Sequence, residues 1–354
     1  VKDLKEYPGT AHDPVLNEFV SDLVNDQGVE IERMNGIAVN LSDDPRSRLL
    51  PGLFDAEEAI KNLKLVKTLK KPVGFYNPSN PKAKGVKKTK EDDEDKDSEK
   101  TTEELSKSLR SPILSFANTD MAFRDNLLVT GSYHGFNIYE INTNGIPELL
   151  SSVVCPGGQG DVSIVEDILI MSVEETRSRL NCGLEGVSKE ASSDRFRGIR
   201  IFDISDVYEP KQVGAVQTCR GSHTHSVVSG PGASGKIIVY NSGTASVRDE
   251  EEMEECIGNI AGDSRTALFR IDIIEIPISN PSESKIVSSP AVFADPDTGV
   301  LGGLWVGGDH GDDTQETSRT DQCHDITVFP SANLAAGACS GNGILFDITD
   351  PYNP

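Results

Sequence analysis

The feature that most constrains this chain is a short phrase that recurs along it. The phrase consists of an apolar residue, an aromatic residue, an acidic residue and isoleucine, and a proline follows six residues later. It occurs at 138–141, 201–204 and 345–348, with a looser copy at 274–276. Repeats tens of residues apart are typical of solenoids and propellers, in which each unit buries its faces only against neighbouring units. The repeat therefore predicts an architecture, although it does not name an activity.

Strand and turn signals surround every copy of the phrase. Short apolar or alternating runs are separated by Gly, Pro, Asn and Asp from residue 116 onward, which predicts strands joined by turns. The predicted strands lie at 120–123, 127–130, 136–141 and 149–154, at 161–164, 168–173, 198–204 and 212–216, at 225–228, 236–240, 267–276 and 285–287, and at 325–328, 334–338 and 344–348. Four antiparallel strands per unit describe a propeller blade. We therefore predict an all-β fold, a β-propeller over 111–354 with three complete four-stranded blades and a partial fourth. A β-sandwich is the alternative, but it does not explain the phrase.

The region before the repeats has a different composition. Residues 1–79 are polar and irregular, apart from a strand-like run at 65–69. Residues 80–110 have almost no large apolar side chain and contain a lysine-rich block followed by a mainly acidic block. Such a segment cannot offset its ordering entropy by burial. We predict a charged, disordered insert at 80–110, with a partner-binding tail as the alternative.

The net charge of −23 limits the class of partner. A nucleic-acid binder needs a basic face, and anionic lipid also repels an acidic protein. No run approaches the roughly 18–20 apolar residues of a membrane helix. We therefore expect neither nucleic-acid binding nor a transmembrane segment. The chain starts at Val1 rather than Met and stops at Pro354, where earlier phrases run on into another strand, so we expect a removed leader or a fragment.

Six cysteines share two positions in the units. One cysteine of each pair lies just before a first strand and the other follows the second strand of that unit. This placement predicts three disulfides, Cys155–Cys182, Cys219–Cys256 and Cys323–Cys339. Disulfides persist in oxidising compartments, so we expect a secreted, periplasmic or cell-surface protein. A zinc site is disfavoured because no CxxC spacing occurs.

Polar residues at the strand heads are the candidates for chemistry. Aligning the units places four residues at the head of the first strand and two histidines beside them: Asp120, Asp161, His225 and Asp325, with His223 and His324. In a propeller these heads face one mouth of the central channel. Asp and His at short range suit a divalent cation such as Ca²⁺, Mn²⁺, Zn²⁺ or Cu²⁺, and clustered carboxylates also suit acid–base chemistry. The alternative is that each Asp caps its own turn.

Two further groups of charged residues are notable. His223 and His225 are two residues apart on a strand, so both point to the same face and could reach one metal. Arg195, Arg197 and Arg200 precede the second phrase, and either pair with nearby acids or form an anion site. The segment 249–255 is strongly acidic and is interpreted as a solvated loop with some affinity for Ca²⁺.

Several runs together resemble a known family. They are CPGGQGDVS at 155–163, RGIRIFDIS at 197–205, TCRGSHTHS at 218–226, CHDITV at 323–328 and AAGACSGNGI at 335–344. With these runs, residues 116–354 resemble the LVIVD-repeat proteins, β-propellers of mostly secreted bacterial origin. The resemblance implies a propeller that continues through further blades and an extracytoplasmic location, but no biochemical activity.

Three functional hypotheses follow from the sequence. The first is an extracytoplasmic β-propeller that acts as a binding or surface-associated scaffold, with loops that engage a protein or glycan and a cation at the channel mouth as an option. The second is a metal-dependent oxidoreductase or hydrolase with the histidines and the Asp ring around the metal. The third is a purely structural repeat without a ligand.

Overall fold

The computed structural model describes residues 45–52, 55–75, 117–184, 186–187, 191–258, 266–295, 297–309, 311–312 and 318–354. The predicted insert at 80–110 and residues 1–44 of the predicted irregular region lie outside these ranges. The chain divides into two compact units between Thr68 and Leu69. Among the described residues of the first unit, one 3₁₀ turn spans Pro45–Arg48.

The strand predicted at 65–69 is wrong. These residues have no regular backbone structure, and no described strand pairs with them. Leu65 and Val66 are about half exposed. An isolated apolar run of this length has neither a ladder partner nor a face to bury, so β-branched composition alone does not make it a strand.

Four antiparallel sheets make up the described part of the second unit. Sheet one contains β1 (Asn118–Arg124), β2 (Leu127–Ser132), β3 (Gly135–Ile141) and β4 (Pro147–Val154). Sheet two contains β5 (Val162–Val165), β6 (Ile168–Val173), β7 (Gly198–Asp203) and β8 (Lys211–Gln217). Sheet three contains β9 (Thr224–Ser229), β10 (Lys236–Ser242), β11 (Asp272–Pro277) and β12 (Lys285–Ser288). Sheet four contains β13 (Asp325–Phe329), β14 (Leu334–Cys339) and β15 (Asn342–Asp347).

The strands within each sheet follow chain order, as a meander. The all-β class and the division into four units are therefore confirmed, and the described strands do not close into a single sheet. Short 3₁₀ turns lie at Gly232–Ser234, Ala267–Phe269, Pro281–Glu283 and Pro330–Ala332. The third strand of sheet three begins at Asp272 rather than at 267, because Ala267–Phe269 forms one of these turns.

Two glycines begin third strands for a steric reason. Gly135 and Gly198 have φ of 133° and 143°, a region that L side chains rarely adopt. A Cβ on either residue would collide with a carbonyl oxygen of the adjacent fourth strand, that of Val153 or of Val216. Glycine is therefore required where each chain enters its third strand.

Apolar clusters fill the spaces between successive sheets. One cluster joins sheets one and two, a second joins sheets two and three, and a third joins sheets three and four. The phrase divides its side chains between these clusters. Its second and fourth residues pack on the preceding sheet, as Phe202 and Ile204 do on sheet one. Its first residue packs on the following sheet, as Ile201 does on sheet three.

The last copy of the phrase, at 345–348, follows this pattern towards sheet three but not on the opposite face of sheet four. Ile138 and Ile201, the first residues of two other copies, are 0% exposed, and so is Ile273, which aligns with them directly before the looser copy at 274–276. Leu345 holds the same position in sheet four and is 74% exposed. Phe346 next to it is buried against sheet three. Sheet four is thus covered on the side of sheet three and carries an open apolar position on its other face.

The structure contains all three predicted disulfides, Cys155–Cys182, Cys219–Cys256 and Cys323–Cys339. Each ties the segment before a first strand to the end of, or the segment after, the second strand of the same sheet. Such cross-links reduce the conformational entropy of the unfolded chain. No helix in the described ranges is long and apolar enough to span a membrane.

We predict that Ile201→Ala lowers the free energy of unfolding by about 2–5 kcal/mol, because it removes a fully buried side chain between two sheets. Leu345→Ala is the matched control, since it changes the equivalent but exposed position, and should cost no more than about 0.5 kcal/mol. Urea unfolding of both variants measures the difference. Equal losses of unfolding free energy in the two variants would contradict the conclusion that the first residue of the phrase packs on the following sheet.

Candidate functional site at the strand heads

The register places the predicted head residues at equivalent positions. Asp120, His225 and Asp325 lie opposite Gly131, Asn241 and Ala338 of their second strands, and the carbonyl of Asp161 accepts from the amide of Ser172. The first strands also contact one another in chain order, β1 with β5, β5 with β9 and β9 with β13. The heads of neighbouring sheets are therefore within reach of each other.

The head carboxylates cap the neighbouring sheet rather than their own turn. Asp120 Oδ2 accepts from the amide of Val162 at 3.0 Å, and Asp161 Oδ2 accepts from the amide of His225 at 2.8 Å. Both bonds run from one sheet to the first strand of the next. Asp325 differs, because its carboxylate is exposed and accepts from the adjacent amide of Ile326 at 2.7 Å. The three carboxylates therefore do accept backbone hydrogen bonds, as the capping interpretation expects. Asp120 and Asp161, however, accept them from the next sheet and not from their own turns.

The imidazole of His225 is enclosed between sheets two and three. Its side chain is 0% exposed, and Nδ1 lies 2.7 Å from Asp161 Oδ2 and 2.8 Å from Ser172 Oγ. Ser172 Oγ also lies 2.7 Å from Ser222 Oγ. The buried Nε2 has no hydrogen-bond partner. A Ser-His-Asp relay needs serine and carboxylate on opposite ring nitrogens, so this arrangement, with both at Nδ1, does not activate Ser172 as a nucleophile.

A second histidine pairs with a carboxylate that the sequence reasoning missed. His223 Nδ1 lies 2.7 Å from Glu174 Oε2, which also accepts from Thr244 Oγ1 at 3.0 Å. The rings of His223 and His324 lie 4.3 Å apart between centroids. The hydrogen bond to Glu174 raises the pKa of His223 above its ordinary value, against the opposing effect of burial. Glu174 follows directly after β6, and only its place after a buried strand could have indicated it.

The two neighbouring carboxylates differ in their acidity. Burial raises the pKa of Asp120 above its ordinary value, and the nearby charge of Asp161 adds to the effect. Burial acts in the same direction on Asp161, but the charge and hydrogen bonds of His225 outweigh it and lower the pKa of Asp161. Asp161 therefore holds its negative charge beside His225, while Asp120 takes up a proton more readily.

The six predicted ligands do not form one compact set. Asp120, Asp161 and His225 lie on one hydrogen-bonded chain, His223 and His324 lie together beside Glu174, and Asp325 is exposed. Within the described ranges, no three His, Cys, Asp or Glu side chains gather closely enough to hold a metal ion. The predicted metal site at these residues stays a prediction.

Comparison with known proteins gives no family. No protein-family model matches the chain, and no curated protein matches it. The resemblance to LVIVD-repeat proteins therefore stays a prediction.

Three solved structures illustrate the level of structural likeness. The designed Ika4 protein is 11% identical over 65% of this chain and 91% of its own, with a TM-score of 0.28. A Lactobacillus plantarum protein is 10% identical over 65% and 80%, with a TM-score of 0.26. Saccharomyces cerevisiae Sqt1 is 7% identical over 66% and 73%, with a TM-score of 0.26. Likenesses at this level carry no argument about fold or function.

We predict that Asp161→Ala destabilises the protein by about 1–3 kcal/mol, because the buried amide and imidazole of His225 lose their acceptor. Asp325→Ala removes the equivalent but exposed carboxylate and should cost no more than about 0.5 kcal/mol. Thermal and urea unfolding distinguish the two variants. If the Asp325 variant were the less stable one, the capping role of Asp161 would be refuted.

The pair of Glu174 and His223 should make stability depend on pH. Because the pKa of His223 is raised in the folded state, its charged pairing with Glu174 stabilises the protein fully below the unfolded pKa of histidine. This contribution is lost as the pH rises through the folded pKa. The stability difference between wild type and Glu174→Gln, measured in chelator, should therefore shrink from pH 6 to pH 9. A difference that grows over this range would contradict the assignment.

Proposed function

We propose that this chain is part of an extracytoplasmic β-propeller that acts as a binding or surface-associated scaffold. The observation that carries the proposal is the packing of the phrase in sheets two and three, where the second and fourth residues pack on the preceding sheet and the first residue packs on the following one. Sheets that stack face to face in chain order, with first strands adjacent, have the neighbour relations of propeller blades. The open face at Leu345 is where a further blade would pack.

The hydrogen bonding of the polar side chains at the strand heads favours a scaffold over an enzyme. Asp120 and Asp161 are engaged by backbone amides of neighbouring sheets, and His225 is enclosed by Asp161 and Ser172. These groups stabilise the stack, and none of them is presented to solvent as a free acid, base or nucleophile. The connections between strands are then the surfaces left for a ligand.

The connections have the properties expected of binding loops. Long segments follow the second strands of sheets two and three, and each is tied back by a disulfide, Cys155–Cys182 or Cys219–Cys256. Cross-linked loops lose less entropy on binding. The acidic surface implied by a net charge of −23 favours a protein or glycan partner that carries positive charge or bound cations. Three disulfides support an oxidising, extracytoplasmic location.

One observation favours a metal-dependent enzyme as the second candidate. His223 and His225 each have Nδ1 held by a carboxylate and a buried Nε2 without a partner. This is the second-shell arrangement that orients metal-binding histidines. Zn²⁺, Mn²⁺ or Cu²⁺ would suit both Nε2 atoms with exposed His324 as a third donor, but the three side chains would have to move closer together than they lie in this structure. A bound metal of this kind would supply a Lewis acid or a redox centre for hydrolase or oxidoreductase chemistry.

Elemental analysis of protein purified without chelator separates the two candidates. The scaffold proposal predicts no stoichiometric transition metal, and Ca²⁺ affinity no tighter than about 10⁻⁴–10⁻³ M. Stoichiometric Zn, Mn or Cu that is absent from a His223→Ala/His225→Ala variant would overturn it in favour of the enzyme. Circular dichroism of the double variant confirms that the comparison is made on folded protein.

A further inference from the structure

Two adjoining clefts lie at the end of sheets two and three that is opposite to the strand heads. Their volumes are about 400 Å³ and about 320 Å³, and Glu166, Ile278 and Ser279 line both of them. Four turns supply the walls, those between β5 and β6, β7 and β8, β9 and β10, and β11 and β12. Clefts of this size accept a short peptide segment or a small molecule. The chemistry of the lining therefore indicates the ligand.

One part of the lining is apolar. Val213 and Ile278 line the clefts and also pack on the apolar cluster that joins sheets two and three. Pro277 and Pro281 are half-buried in the same walls. A hydrocarbon chain that lies on these residues is removed from water, which favours binding.

Backbone contacts hold the turns around the clefts in place. The amide of Ile278 donates to the carbonyl of Gly235 at 3.0 Å, and the amide of Gly235 donates to the carbonyl of Pro231 at 2.9 Å. Strand β8 of sheet two also contacts the 3₁₀ turn at Pro281–Glu283 of sheet three. A ligand therefore does not have to order these walls when it binds, which lowers the entropy cost of binding.

The charged side chains at the clefts are mainly acidic. Of the described residues that line them, Glu166, Asp167 and Asp203 are acidic, and Lys236 alone is basic. Lys236 Nζ lies 2.9 Å from Glu275 Oε1, so the charge of this lysine is already paired. A ligand in the clefts therefore meets an excess of negative charge, which favours a cation.

Glu166 is the carboxylate that the chain leaves available. Asp167 Oδ1 lies 2.8 Å from Arg124 Nη1, and Asp203 Oδ1 accepts from the amide of Ser205 at 2.8 Å. The exposed carboxylate of Glu166 makes no hydrogen bond or ion pair with any residue that the structure describes. The backbone of Glu166 is held nevertheless, because its carbonyl accepts a hydrogen bond from Arg124. An anchored residue thus presents a free carboxylate to both clefts.

We propose that these clefts bind a basic segment of a protein partner, with an arginine or lysine side chain of that segment paired to Glu166. The hydrocarbon part of such a side chain packs on Ile278 and the neighbouring prolines, while its charged end reaches the carboxylate. The net charge of −23 attracts a basic partner to this surface. The inference rests on the scaffold proposal for the class of partner, and it adds the partner's chemistry and the surface that binds it.

The test uses the peptide acetyl-Gly-Arg-Gly-Arg-Gly-amide, titrated into the isotope-labelled full chain and followed by NMR. We expect saturable shifts of the amide signals of residues 166–168 and 278–280. The citrulline analogue has nearly the same shape but no charge. It should bind at least about tenfold more weakly, the factor set by the loss of a hydrogen bond to a charged group.

Glu166→Gln should weaken binding of the arginine peptide by at least about tenfold for the same reason. Asp125→Asn is the matched control, because Asp125 is an exposed acidic residue in the equivalent turn of sheet one, with φ of 53° against 51° at Glu166. It removes the same charge from the chain, and because salt screens distant charges it should change the affinity by less than about twofold. Equal affinities in the two variants would overturn the inference.

A second pair of variants changes exposed serines, so that folding is preserved. Ser279→Lys places a positive charge on the wall that both clefts share and should abolish binding of the arginine peptide. Ser282→Lys adds the same charge on the same connection, at an exposed residue outside the described lining, and should weaken binding far less. Equal effects of the two lysines would contradict binding in the clefts.

The remaining outcomes separate this inference from the scaffold proposal. No saturable binding of the arginine peptide, or equal binding of the citrulline peptide, would overturn the inference and leave the scaffold proposal to elemental analysis. Calcium chloride is the second titrant. Ca²⁺ that shifts the signals of residues 166–168 when the peptide does not would identify a cation site and would overturn the inference as well.

Discussion

The burial of apolar side chains between successive sheets is the interaction on which the rest of this structure depends. Sheets two and three are apolar on both faces, and neither face can be buried within the sheet that carries it. Each sheet is therefore stable only between neighbours, as in other repeat architectures. The four-residue phrase meets this requirement, because its side chains alternate between the two faces of the strand. The first residue packs on the following sheet, and the second and fourth residues pack on the preceding sheet.

Hydrogen bonds at the strand heads join the same successive sheets as the apolar clusters do. Hydrogen bonds from the Val162 amide to Asp120 and from the His225 amide to Asp161 cross between the same sheets that the apolar clusters join. Buried polar groups are tolerated when each finds a partner, and the inter-sheet register supplies most of these partners. Of the six residues predicted as ligands, His223 and His225 each keep a buried Nε2 without a partner, so these atoms have unused binding capacity.

The charge of the chain and the charge of its interior differ. The chain as a whole is acidic, whereas Arg195 and Arg248 are buried beside the Cys219–Cys256 disulfide and both contact the carboxylate of Glu252. Glu252 brings one charge of the acidic segment 249–255 into that space, so this segment is more than the solvated loop that its composition indicates.

The sequence by itself determined the features that depend on local pattern. The two-residue period, the turn residues and the repeated phrase specified the strands and their order, and the shared positions of the cysteines specified all three disulfide pairs. The same reasoning failed at 65–69, where a strand-like composition has no neighbouring strand to pair with. Only the tertiary structure decided what the polar residues contact. Asp161, His223 and Glu252 each have a partner about 50–65 residues away along the chain, on an adjacent sheet or loop. Such contacts depend on how sheets stack, and a period of two residues carries no information about that distance.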